Sequence, residues 1–408
     1  MERTPEEHHV TTSTFRIGSA ATILVIFIVV ILAAASVAQA QTYTVFHVFK
    51  GTDGANPQSS LVQDGAGNLY GTTFDRGASG YGTVFKRSPA GKFTVLYNFA
   101  GPPDAANASG SLIVDSVGDI YGTTVWGGAS NFGSVFKIDT AGHETLLHSF
   151  AGGTDGANPE GGVIQDSAGN LYGVTEGGGT GGGCGNYGCG TVFKVNASGN
   201  ETVLYTFNGD TASGVIDGAN PWGGLARDSA GNLYGATING GTLGFGTIFK
   251  VDASGIETLL HQFSGTSDGA YPYSNLIFDT GGNLYGTAYQ GGAGSVGTVY
   301  KLDTSQNLTV LHSFTGGVDG GYPPAGLVLD SHGNFYGTTV QGGSSNFGIV
   351  FEIDSAGSET VLHSFTGGGK GLVPETGLFM DTAGNLYGST YYGGPKGSSF
   401  GTLFKLVP

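Results

Sequence analysis

Two sets of residues in this chain have the types and spacing to do chemistry. Each set holds one member per repeat of about 50 residues, and its members differ from repeat to repeat. The first opens the innermost segment of each repeat: Gln58, Ser109, Glu160, Trp222, Tyr273, Pro324 and Glu375. The second follows the second segment: Asp75, Trp126, Gly177, Asn239, Gln290, Gln341 and Tyr392. The only two tryptophans of the chain fall in these sets. Indole and phenol rings beside Glu, Asn and Gln suit the apolar faces and hydroxyl edges of sugars, or a peptide. The expected binding residues are Trp126, Trp222, Tyr273, Tyr392, Asp75, Asn239, Gln290 and Gln341. Glu160 and Glu375, expected on blades two apart, are the candidates for catalysis. Glycoside cleavage needs two carboxyl groups within about 5–10 Å of each other. Asp75 or Glu176 would be the substitutes.

Residues that recur in every repeat are read as structural. His47, His148, His261, His312 and His363 share one place in the fourth segment, where Tyr97 and Tyr205 stand in for histidine in two repeats. His143 and His332 lie in turns. No histidine sits at metal-ligand spacing from a carboxylate, so neither a zinc site nor a histidine base is expected. Asp64, Asp115, Asp166, Asp228, Asp279, Asp330 and Asp381 each open a D-x-x-G-N turn, where a carboxylate accepts backbone N–H bonds. Such a turn lacks the spread of oxygen ligands that calcium takes. No metal or cofactor is expected.

These residues need a scaffold, and the scaffold is a repeat. The phrase Asp-Ser-Ala-Gly-Asn-Leu-Tyr-Gly occurs verbatim at 166–173 and 228–235. Its tyrosines, Tyr70, Tyr121, Tyr172, Tyr234, Tyr285, Tyr336 and Tyr387, are spaced 51, 51, 62, 51, 51 and 51 residues apart. Fixed periods of this size mark repeat architectures. Each period carries four apolar runs of five or six residues, rich in Val, Leu, Phe, Tyr and Thr and bounded by Gly and Asp. In the second repeat they are 111–115, 120–125, 133–138 and 145–150. Such runs are strands. Four strands per repeat is the size of a propeller blade. The glycine after each tyrosine is read as making room for the next blade.

The ends decide the architecture. A fourth-strand phrase, TVFHVF at 44–49, precedes the first full repeat, and the last repeat stops after its third strand, 401–406. The opening strand supplies what the last blade lacks. The expected fold is an all-β, seven-bladed propeller of four-stranded blades, closed by pairing the N-terminal strand with the C-terminal blade. Closure removes the open edge that an exported β protein must avoid. The longer period holds two insertions, one around Cys184 and Cys189 and one at 208–215, both expected in surface loops.

Residues 1–40 stand outside this pattern. Arg16 precedes an uncharged apolar run, 20–35, and Ala38-Gln39-Ala40 gives a small-x-small cleavage pattern. This reads as a signal peptide, with an uncleaved N-terminal membrane anchor as the alternative. The propeller domain is then 41–408. That part carries 13 Lys and Arg against 28 Asp and Glu, a net charge of about −15. A surface so acidic repels phosphate backbones, which argues against nucleic acid. The only two cysteines, Cys184 and Cys189, are separated by four residues and are expected to form a disulfide with no free thiol.

The sequence Asp-Gly-Ala-Asn-Pro, then Gly-Asn-Leu-Tyr-Gly-Thr-Thr, Gly-Gly, Gly-Thr-Val-Phe-Lys and Thr-Val-Leu-His-Ser-Phe resembles the GloVer-type tandem repeat of exported bacterial proteins. The likeness covers essentially all of 43–408. It implies export to the periplasm, the cell surface or the medium of a bacterium, and it carries no catalytic residues over. Members often end in a surface-anchoring signal, and none is expected after Pro408. The leading expectation is a monomeric, non-catalytic propeller binding a carbohydrate or an extracellular protein at one mouth of its channel. The alternatives are a polysaccharide-active hydrolase or lyase and a purely structural surface protein.

Overall fold

The computed structural model describes Met1 and residues 41–209, 216–394 and 399–408. The expected signal or anchor at 1–40 and most of the second insertion lie outside the described residues. Among those residues there is no α-helix, and seven antiparallel sheets make seven blades. Blade two is typical. Its strands, from inner to outer, are Ile113–Val114, Ile120–Thr124, Ser134–Ile138 and Glu144–Ser149. The inner strand is shorter than the sequence pattern suggests: only two residues pair, and Ser109, Gly110 and Ser111 before them line a cavity shared by the blades.

The repeated phrase closes the first hairpin of each blade. In blade one, Asp64 Oδ1 accepts the backbone N–H groups of Ala66 and Asn68 at 2.9 and 2.8 Å. Its Oδ2 accepts the Asn68 amide and the Tyr70 hydroxyl at 2.7 and 2.9 Å. Gly67 sits at φ 81°, a conformation that costs other residues a steric penalty. In blade three burial pushes the matching Asp166 upward, but the bonds from Asn170 and Tyr172 outweigh it and hold its pKa at about 2.

The blades meet through aromatic rings. A phenylalanine just past each outer strand packs edge-to-face on a third-strand ring of the next blade: Phe99 on Phe136, Phe150 on Phe193, Phe207 on Phe249, Phe263 on Tyr300 and Phe314 on Phe351. Phe365 on Phe404 and Phe49 on Phe85 complete the set. Phe49 directly follows the N-terminal strand, so this set runs through the seam. Centroids of the pairs lie 5.0–5.5 Å apart, the favoured T-shaped spacing.

The ring closes as the chain ends foretell. The strand Thr42–Val48 pairs antiparallel with Thr402–Val407, setting Tyr43 opposite Leu406 and Val45 opposite Phe404. With Leu386–Thr390 and Phe379–Met380 they form blade seven.

One expectation is corrected. The glycine after each tyrosine does not make room for a neighbouring blade. A Cβ on Gly71 would meet Phe85 Cζ at 2.7 Å and Leu61 Cδ2 at 2.9 Å, both in its own blade. Gly71 pairs directly with Phe85, whose ring lies across it and then meets Phe49 of the adjacent blade.

Candidate functional site

The inner strands begin at the centre of the ring and place the first variable set there. All seven residues of that set line one cavity of about 710 Å³, within the range of small-ligand sites. Their order round the ring divides it. Glu375, Gln58, Ser109 and Glu160 form a continuous polar half, and Trp222, Tyr273 and Pro324 form an apolar half. Glu160 and Glu375 therefore stand three blade steps apart, with blades one and two between them, not two steps as the spacing suggested.

Each of these glutamates has a neutral partner beside it. Burial pushes Glu160 up to about 7; the charge of Glu176 adds to this and the Ser109 hydroxyl opposes it. Burial also raises Glu375, against the Gln58 amide. Glu176 is raised by burial as well, and a bond from Tyr187 offsets part of it. The Tyr187 hydroxyl donates to Glu176 Oε2 at 2.7 Å and lies 3.3 Å from Asn158 Oδ1. Tyr187 sits inside the loop closed by the Cys184–Cys189 disulfide, whose Cα atoms are 5.2 Å apart. The first insertion is thus tied back to the acidic side of the mouth. The carboxylate that acts on Glu160 is Glu176 rather than Glu375.

The second variable set is placed differently. Its members bridge to the lead-in segment of each blade: Asp75 to Ala55, Trp126 to Ala106, Asn239 to Ala219, Gln290 to Ala270, Gln341 to Gly321 and Tyr392 to Leu372. Of these only Gln341 lines the cavity. Asp75 and Tyr392 line a separate hollow of about 500 Å³ with Arg76 and Phe400. Trp126 is 42% exposed and does not line the cavity. The cavity takes the residue one position earlier, Phe74, Tyr289 or Val340. Adjacent residues in extended chain point in opposite directions, so a one-residue shift changes the face.

The apolar half carries a contiguous arc. Trp222 and Tyr273 have centroids 5.5 Å apart, Tyr273 and Tyr289 5.2 Å, and Tyr289 and Tyr322 5.2 Å. Tyr289 and Tyr322 belong to neither variable set. Tyr322 occupies a position with left-handed backbone in all seven blades. In four of them it is asparagine: Asn56, Asn107, Asn158 and Asn220, at φ 55–59°. Each amide donates to a backbone carbonyl of the preceding blade at 2.9–3.1 Å. Tyr271, Tyr322 and Val373 hold the same backbone, at φ 56°, 59° and 57°, without that amide. Left-handed backbone is unfavourable for such side chains, and departures of this kind concentrate at functional sites. The substitution of Asn in the repeated Asp-Gly-Ala-Asn-Pro phrase is the signal that would have found them.

The repeated histidines close blade junctions. His47 and His261 lie 3.1 Å from Asp53 and Asp268, and Tyr97 and Tyr205 donate to Asp104 and Asp217 at 3.1 and 2.9 Å. No group of three or more His, Cys, Asp or Glu that could hold a metal occurs among the described residues.

This geometry defines a seven-bladed propeller with a ligand-sized cavity at its centre. The chain belongs to the Gloeobacter/Verrucomicrobia repeat family, which matches residues 35–215 and 183–404. No curated protein matches it. Among solved structures it is similar to the extracellular domain of BT4673 from B. thetaiotaomicron, described as a hybrid two-component system (TM-score 0.57, 11% identity, 89% of this chain and 39% of that one). A second structure of that domain, described as a one-component system, gives TM-score 0.54 at 12% identity over 88% of this chain and 39% of that one. A protein from Bacteroides uniformis described as a 6-phosphogluconolactonase gives TM-score 0.50 at 16% identity, over 79% of this chain and 88% of that one. The chain spans about two fifths of the BT4673 domain, 39%. At these identities the likeness shows the fold alone.

Proposed function

We propose that this protein is an exported, non-catalytic propeller that binds a carbohydrate in the central cavity. The observation that carries this is one cavity lined by Trp222, Tyr273 and Tyr289, the last backed by Tyr322, and by a hydrogen-bonding half ring of Glu375, Gln58, Ser109 and Glu160. Flat rings stack on the C–H faces of pyranoses, and carboxylates and amides take their hydroxyls. The Ala38-Gln39-Ala40 pattern and the disulfide support export. The test is a glycan array on the full chain, followed by titration of the bound glycan. Trp222→Ala and Tyr289→Ala should each weaken binding at least about tenfold, some 1.4 kcal/mol, with melting temperature unchanged. Unchanged affinity in both variants overturns the proposal.

One observation favours the enzymatic alternative. Glu160, held near pH 7 beside a second carboxyl, Glu176, has the pattern of an acid–base pair. Turnover of a polysaccharide by the wild type, lost in Glu160→Gln, would replace binding with catalysis.

A further inference from the structure

The charge of the cavity restricts what enters it. Its lining holds two carboxyl side chains, Glu160 and Glu375, and no lysine, arginine or histidine. Among the described residues, neither glutamate takes part in a salt bridge, and nor does Glu176 behind Glu160. Their side-chain partners are neutral: Ser109, Gln58 and Tyr187. A buried carboxylate without a counter-charge is costly, and a cation at the same place relieves that cost. On the other half of the ring the lining holds the aromatic rings of Trp222, Tyr273 and Tyr289, and such rings also attract ammonium groups. Two separated carboxylates joined by an aromatic wall match an extended ligand bearing more than one positive charge.

We infer that the ligand is a cationic amino-sugar oligosaccharide, such as an oligomer of de-N-acetylated glucosamine, its ammonium groups on Glu160 and Glu375 and its ring faces on Trp222 and Tyr289. This rests on the carbohydrate reading above and narrows it. Uronic-acid polymers, with a carboxylate on each ring, are excluded by like charge. Burial and the neighbouring Glu176 place the ionisation of Glu160 at about 7, so the acidic wall gains charge as pH rises through neutrality.

The test is isothermal titration of the full chain with glucosamine tetramer, its N-acetylated counterpart and a galacturonate tetramer. Glucosamine tetramer should bind at least about tenfold more tightly than the acetylated tetramer, and galacturonate should not bind. Glu160→Gln with Glu375→Gln should abolish the preference, so that the free-amine and acetylated tetramers bind that variant equally, in a protein that still unfolds cooperatively. With a trimethylated tetramer, whose charge does not titrate, affinity should rise between pH 6 and 8. If the acetylated tetramer binds as tightly as the free amine, the inference falls and the carbohydrate reading stands. If no sugar binds but polylysine does, through the same two glutamates, both fall.

Discussion

Tyr43 of the N-terminal strand lies flat on His363 of blade six, ring centroids 3.7 Å apart and planes 4° from parallel. The same contact recurs at the next junction, where Phe93 lies on His47 at 3.8 Å and 3°. At four other junctions the position of Tyr43 and Phe93 is held by Glu144, Glu201, Glu257 or Glu359. The two junctions that involve the N-terminal strand thus have aromatic stacks where most of the ring has buried carboxyls. The Tyr43 hydroxyl adds a bond to the Lys370 carbonyl at 2.7 Å.

Tyr43→Ala should therefore weaken the seam. Losing one partly buried ring and its hydrogen bond should lower stability by about 2–3 kcal/mol, read from guanidinium unfolding. Phe93→Ala should fall in the same range, and Thr44→Ala, exposed on the same strand, should change little. A Tyr43→Ala protein that unfolds at the wild-type midpoint would show that the seam is held by the backbone ladder alone.

Glycine beneath the third-strand ring gives a second test. A Cβ on Gly122 would approach Leu112 Cδ2 and Phe136 Cζ to 2.7 Å each. Phe136 is fully buried and cannot yield outward. Gly122→Ala should cost about 1–3 kcal/mol by overpacking, although alanine is otherwise acceptable in a strand. Gly182, with nothing within 4 Å of its Cβ position, is the control, and Gly182→Ala should leave the melting temperature unchanged. A neutral Gly122→Ala would mean that the ring has room to slide.

The fold was legible because its signals are local and repeated. The Asp64-to-Tyr70 turn is written within seven residues, and the unpaired end strands, 44–49 and 401–406, announce each other. The first variable set was legible too, because Glu160 and Trp222 stand at a fixed distance from that turn. Which of two neighbours faces the cavity was not. Phe74 and Asp75, or Tyr289 and Gln290, differ by one residue just past the second strand, and their facing is fixed by the bridge to Ala55 or Ala270 more than fifteen residues earlier. Contacts between blades were equally hidden. Nothing near Glu144 in the chain tells that it packs toward Tyr97 and Asp104 of the preceding junction.

Those junction carboxyls should make the propeller weaken as pH rises through neutrality. Glu144, Glu201, Glu257 and Glu359 each keep Oε1 buried without a hydrogen-bond partner. Burial first, then the charge of Asp104, Asp155, Asp217 or Asp319, pushes each up to about 7. Unfolded, these groups ionise in the ordinary range, about 4.3. Between the two values the folded chain holds more protons than the unfolded one, so stability falls as pH rises. Buried histidines act in the opposite sense. Burial lowers His148 and His312, and His363 to about 4, but that contribution is complete by about pH 6.5, the ordinary histidine value. Above it the carboxyls dominate. Most of this loss accrues between about pH 4.3 and 7, and the melting temperature should still drop between pH 6.5 and 8, by the equivalent of a few tenths of a kcal/mol per junction glutamate once partial exposure is allowed for. Replacing all four with glutamine should raise stability at pH 8 and flatten the profile. A wild-type melting temperature that is level or climbs across that interval would mean that water or a neighbour satisfies these carboxylates in the folded ring.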